Sequence, residues 1–325
     1  MQTSLIDYYM KVLCQCYSED GRLLVCGNNY GELLLFDIDK VLKDEDLQEE
    51  ALKSSTRQQV STGAIYCLTS VGDFLLAGGV GEVLAFHWSA IREGKLEVDW
   101  AVRLPIHGGL NKPEVNAIAL SDSERKMHLA AGDNKIYVYE LETRHFLGAL
   151  EEHQDYVHDL AINRHGTELY SAGEDGAVKL WDLRSKKTVC SVDIKKHDRL
   201  RSASGATWVG AVSLDESEEW LVVAGGHRPT VLHTKSMTPA IVFAEVEQDC
   251  FVAKFCNDMI TLAGEGGKVY HFTMAGELRA AVPSSSTAIY AVALHPAKKC
   301  CTTSGASNRL DLSRNLLYND LVLTV

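Results

Sequence analysis

The chain has 325 residues, 46% hydrophobic and 23% charged, a balance that supports a large buried core and excludes a disordered chain. Acidic residues outnumber basic ones, 44 to 32, and the net charge of −12 has the wrong sign for gripping nucleic acid through phosphates over a whole surface. No segment approaches the ~18–20 continuous apolar residues of a membrane helix. Asp7, Lys11, Glu19 and Asp20 break up the N-terminal twenty residues, so a secretory leader is not expected. The nine cysteines are odd in number and include no CxxC pair, which predicts free thiols in a reducing compartment.

In chain order one phrase recurs: an apolar run, a small residue and glycine, a short turn, then an alternating apolar run. It reads LLVCGNNYGELLLFDI from Leu23, FLLAGGVGEVLAFHW from Phe74, HLAAGDNKIYVYEL from His128 and ELYSAGEDGAVKLWDL from Glu168. It returns as WLVVAGGHRPTVLHT from Trp220, MITLAGEGGKVYHFTM from Met259 and CCTTSGASNRLDL from Cys300. The marker glycines are Gly27, Gly78, Gly132, Gly173, Gly225, Gly264 and Gly305, at intervals of about 40 to 55 residues. Each phrase predicts a β-hairpin. A strand with small residues among its apolar ones precedes it, as in EVNAIAL from Glu114, YVHDLAI from Tyr156, WVGAVSL from Trp208 and IYAVALH from Ile289. A more polar strand follows, as in KTVCSVDI from Lys187 and TPAIVFAEV from Thr238. Four antiparallel strands per repeat, seven times over, predict an all-β, seven-bladed β-propeller over residues 1–325 as one domain. The closing NLLYNDLVLTV supplies the last blade with an outer strand of its own.

The extra residues of the long intervals form inserts. Residues 39–57 read as an acidic amphipathic helix; residues 89–113 and 195–206 read as loops. The helix lies in a third-to-fourth strand link, while Lys195, Lys196, Arg199 and Arg201 lie in a link between blades. The two are therefore expected on opposite faces.

The fourth phrase, GEDGAVKLWDLRS, resembles a WD repeat through Trp181 and Asp182. The resemblance implies a buried hydrogen-bonded tetrad of His153, Ser171, Asp175 and Trp181, in which each polar group satisfies the next. Elsewhere the Trp-Asp positions hold other pairs, such as Phe36-Asp37 and Tyr139-Glu140.

No catalytic constellation emerges. The glycine-rich turns at Gly78 and Gly264 lead into strands, whereas a phosphate-cradling loop must open a helix. The twelve histidines show neither HExxH nor paired Cys/His spacing. The carboxylates Asp44, Glu45, Asp46, Glu49 and Glu50 read as a solvated helix face. The expectation is a non-enzymatic interaction platform with no metal, cofactor or small-molecule substrate. Lys195, Lys196, Arg199 and Arg201 are the candidate anion contact, set against the plainer reading of a solvated loop.

At finer grain the chain resembles the THO complex subunit 6 family. The phrases that carry the resemblance are GNNYG from Gly27, PEVNAIAL from Pro113, HQDYVHDLAI from His153, GEDGAVKLWDLRS from Gly173 and GELRAAVPSSS from Gly276. The resemblance implies a nuclear scaffold of the THO/TREX assembly that joins coiled-coil subunits and serves mRNA processing and export. Its partners would be proteins, with RNA contact indirect or weak. Contacts are expected near Asn28, Asn29 and Tyr30 and on the Lys195–Arg201 loop. Two other readings stay open: a substrate receptor of a cullin-type ubiquitin ligase, suggested by WDLR at Trp181 to Arg184, and a direct RNA-binding propeller.

Overall fold

The computed structural model describes residues 6–43, 52–106, 112–121, 125–202, 205–256 and 258–325. Seven four-stranded antiparallel sheets, each of four consecutive strands, make the fold a seven-bladed β-propeller. The blades span residues 12–59, 67–103, 115–150, 157–193, 209–242, 250–283 and 289–324. Each middle strand is packed on both faces, which is why the hairpin phrases are continuously apolar rather than alternating. Leu33 to Phe36 and Val83 to Phe86 are buried residue after residue. The fourth strands lie at the sheet margin and alternate; Lys187–Asp193 exposes Lys187, Val189 and Ser191.

The chain forms two compact units. The first comprises residues 1–108, 266–269 and 280–325 and holds blades 1, 2 and 7; the second comprises 109–265 and 270–279. In the first unit, Val12, Leu24, Leu34 and Phe36 of blade 1 pack with Leu310, Leu312 and Leu323 of blade 7. The opposite face of blade 1, with Val25, Leu33 and Leu35, packs on Leu75, Phe86 and Trp88. In the second unit, Trp181 packs with Ile136 and Ala130 between blades 3 and 4. Leu180 joins Leu221 and Leu232 between blades 4 and 5, and Val222 joins Leu262 and Phe272 between blades 5 and 6.

The inserts hold more than loops. Within residues 39–57 lie most of a short helix, α1 (Ile38–Lys43), and the start of the fourth strand of blade 1, Thr56–Gln59; residues 44–51, which carry the acidic run, fall outside the described residues. Residues 89–113 contain most of α2 (Trp88–Arg92) and all of the fourth strand of blade 2, Trp100–Arg103. These outer strands bury little and so carry no apolar signature. The last blade takes Leu321–Thr324 as its own outer strand. Thr324 also forms a parallel bridge to Lys53, with its N–H donating to the Leu52 carbonyl at 2.8 Å.

The marker glycines have a packing cause. At Gly225, Gly264 and Gly305 an added Cβ would overlap the carbonyl oxygen of Trp208, Asp249 and Ala288, just ahead of the first strand of the same blade. A β-bulge in that first strand brings the two backbones together there. Gly305→Ala is therefore expected to destabilise the protein by about 1–3 kcal/mol through overpacking. Gly79→Ala, where a Cβ would meet nothing nearer than 3.6 Å, is expected to be neutral or slightly stabilising. Thermal unfolding of both variants checks the contrast.

Candidate functional site

Blade 4 carries a directed polar chain. Trp181 is fully buried, and its indole Nε1–H donates to Ser171 Oγ at 2.8 Å. Ser171 Oγ lies 2.7 Å from His153 Nε2, and His153 Nδ1 lies 2.9 Å from Asp175 Oδ2. The Asp175 carboxylate can only accept, so His153 Nδ1 carries a proton that points at it; Nε2 of the neutral imidazole is then an acceptor, and the Ser171 hydroxyl, which itself accepts from the indole, donates to it. Asp175 also accepts from the backbone N–H groups of Gln154 and Ala177. Burial would raise its pKa, but the bonds from His153 and the backbone outweigh it and hold the carboxyl at about 2. The chain thus ties the blade 4 turn and the segment before its first strand to the third strand. A triad nucleophile needs an accessible hydroxyl, and Ser171 is 0% exposed.

The GNNYG turn spends its polar side chains internally. Asn28 is fully buried; its Oδ1 accepts from the N–H groups of Tyr30 and Glu32, an Asx turn. Its Nδ2 donates to Glu32 at 2.7 Å. Asn29 Oδ1 accepts from the Lys11 N–H at 2.8 Å. Arg57 bridges Glu32 at 3.0 Å and Asp7 at 2.8 Å. These bonds fasten the N-terminal segment against blade 1, and that segment presents Tyr8 and Tyr9, 78% and 63% exposed, as an edge-to-face pair.

The basic loop is anchored rather than loose. Two 3₁₀ turns, Ile194–Lys196 and Asp198–Leu200, bury Ile194 and Leu200 completely. Ser202 Oγ donates to the Gly226 carbonyl at 2.6 Å, and the Arg228 N–H donates to the Leu200 carbonyl at 2.8 Å. Lys196 pairs with Asp193 at 3.5 Å and Arg201 with Asp198 at 3.2 Å. Both pairs are largely exposed, so they contribute little stability and leave the cations available to a partner.

Two further polar clusters went unread in the sequence. The VPSSS phrase caps a buried carboxylate: Ser284 Oγ and the Ser285 N–H donate to Asp311 Oδ2 at 2.5 and 2.7 Å. Gln15 takes a hydrogen bond from Thr302 at 2.5 Å and donates to Ser304 at 2.6 Å. Serines and a glutamine inside apolar runs were the available signal, because a buried polar side chain needs a partner.

The WD domain, G-beta repeat model matches residues 144–182, which run from the last strand of blade 3 through the third strand of blade 4 and contain the polar chain. Over 97% of its length the chain is 35% identical to the THO complex subunit 6 homolog of Rattus norvegicus, covering 93% of that protein. It is 34% identical to THO complex subunit 6 of Homo sapiens over the same shares, and 27% identical to that of Drosophila melanogaster over 98% of this chain and 90% of the fly protein. The chain belongs to the THO complex subunit 6 family.

In this family member the WD-type chain is a bracing element. A cleft of about 710 Å³ on the first unit has most of its charges paired: Lys40 faces Asp37, Lys43 faces Asp39 and Arg22 faces Asp20, with Arg92 as a fourth cation in the lining. Among the described residues, no three His, Cys, Asp or Glu side chains stand close enough to hold a metal ion. Because the Asp175 pKa is depressed, its stabilisation is present above the unfolded carboxyl value near 4 and fades as pH falls toward 2. Asp175→Ala is expected to cost about 2–3 kcal/mol at neutral pH, with the gap to wild type shrinking below about pH 4. Urea unfolding at a series of pH values checks both the size and the direction.

Proposed function

We propose that the chain is a non-catalytic scaffold subunit of the nuclear THO/TREX assembly, serving mRNA processing and export by holding coiled-coil THO subunits together. The observation that carries this reading is the 35% identity that runs through 97% of the chain and 93% of the rat relative, not through one blade alone. A propeller suits the role physically, since rigid blades hold surface loops in fixed positions for partners to read. The contact elements in this reading are the Lys195–Arg201 loop and the segment fastened by the Asn28–Tyr30 turn. RNA contact is indirect, in keeping with the net charge of −12.

The test is affinity purification of the tagged full chain from nuclear extract, with and without RNase, followed by mass spectrometry. THO core subunits are expected in both samples. A cullin adaptor in their place would favour a ligase receptor, and loss of all partners after RNase would favour direct RNA binding. Paired Arg199→Glu and Arg201→Glu changes are expected to cut THO recovery several-fold with an unchanged melting temperature. Full recovery would remove the loop from the interface.

A further inference from the structure

In blades 3 to 6 the backbone repeats a contact that places three side-chain positions per blade along one end of the second unit. The carbonyls of Glu114, Tyr156, Trp208 and Asp249, each just ahead of a first strand, accept from the N–H groups of Gly132, Glu174, Gly226 and Glu265. One residue into each first strand, Asn116, His158, Gly210 and Phe251 occupy the bulge. These twelve positions hold four carboxylates, three aromatic rings and a histidine, and no lysine or arginine.

The aromatic rings lie over the glycines of this row. A Cβ at either Gly210 or Gly226 would run into the Trp208 indole, and one at Gly132 would sit 2.7 Å from the Tyr156 ring. Trp208 therefore occupies the space that a glutamate fills in blades 4 and 6. The Phe251 ring runs nearly parallel to the indole at 17° with centroids 5.7 Å apart, and His158 meets it edge-on at 6.2 Å. Glu174 accepts from His158 Nε2 at 2.7 Å and keeps 41% of its side chain exposed. Tyr156 is 45% exposed. The neighbouring cations belong to other rows. Arg228 lies two residues further along the blade 5 turn; Lys195 crosses Gly176 of the blade 4 turn and, with Lys179 and Lys196, lines a cleft on the outer side of Glu174 that also holds Asp155, Asp175 and Asp193; Lys254 lies deeper on its strand, lining a cleft with Asp159.

We propose that this row is a binding site for an arginine side chain presented by a partner protein. Charge complementarity selects the occupant. A guanidinium stacks on indole and phenol faces and donates to carboxylates in its own plane, and it combines the two better than a lysine ammonium does. Glu174, bonded to His158 on one side of the indole, and Glu265, in the blade that carries Phe251 on the other, supply the acceptors; Trp208 supplies the face, while Tyr156 lies over Gly132 of blade 3. A nucleic-acid base could also stack on these rings, but its phosphates would meet four carboxylates. The site stands whether or not the chain works within a THO assembly.

The test follows the indole N–H resonances of the full chain by nitrogen-15 NMR while a capped Gly-Arg-Gly peptide is added. The control is the same peptide with neutral, isosteric citrulline in place of arginine. Among the five tryptophans, the Trp208 signal is expected to move and saturate, with the citrulline peptide binding about tenfold more weakly or worse. The paired change Glu174→Gln and Glu265→Gln, conservative on a solvent-facing row, is expected to abolish the arginine preference at an unchanged melting temperature. Equal responses to the two peptides, a Trp208 signal unmoved at ~50 mM arginine peptide (Kd far weaker than millimolar), or a stronger response to oligouridine would each overturn the proposal.

Discussion

Each four-stranded sheet in this protein has two apolar faces, and it can remove both from water only by lying between two other sheets. That requirement governs the rest. It makes the middle strands continuously apolar, so that Leu33 to Phe36 point alternately into two different cores, one shared with blade 7 and one with blade 2. It pushes polar residues to the fourth strands. It also forces the backbone ends of first and second strands so close that a side chain at Gly225, Gly264 or Gly305 has nowhere to go.

Apolar burial alone does not fix how one blade is set against the next, because the hydrophobic effect is non-directional. Directional bonds between first strands supply that. Gln15 Nε2 donates to the Ala291 carbonyl at 3.2 Å, and Asn116 Nδ2 donates to the Val157 carbonyl at 2.9 Å. Asp159 accepts from the Val212 N–H at 3.0 Å. Each bond joins a polar side chain on one first strand to the backbone of the next. A shift by one residue would bury an unpaired amide or carboxylate, at a cost of about 1–3 kcal/mol or more. The polar chain of blade 4 does the same work within a sheet, linking a turn to a third strand through Ser171 and Trp181.

What was readable in the sequence follows from this division. The hairpins and the strands before them could be read because double-sided burial and close approach leave a mark: apolar runs ending in a small residue and glycine. The outer strands Thr56–Gln59 and Trp100–Arg103 left no such mark, since a marginal strand is specified by its neighbour's backbone rather than by its own side chains. They were absorbed into inserts. His153, Ser171, Asp175 and Trp181 stand at spacings a pattern can point to, because all four belong to one repeat. Asn28 and Asn29 stand where the sequence leads one to expect a partner contact, and only the structure shows their side chains occupied with Glu32 and Lys11. Trp208 was unreadable as more than an aromatic before a strand, because its setting depends on Gly226 and on rings from two other blades.

That last case shows how a repeat acquires a site. The backbone contact at the head of each first strand is the same in blades 3 to 6, so the fold is indifferent to what the three flanking side chains are, provided they clear one another. Blade 5 places glycine at two of its three positions and a tryptophan at the third, and the indole spreads into the vacated space. Removing side chains at two positions thus creates a flat aromatic surface at a place where neighbouring blades carry glutamates. The indole packs against a ring from each neighbouring blade, so the aromatic surface runs across three repeats with glutamates on either side. The rigidity that the apolar cores and inter-strand bonds impose keeps those rings and carboxylates in register without help from a partner, and preorganisation of that kind lowers the entropic cost of binding.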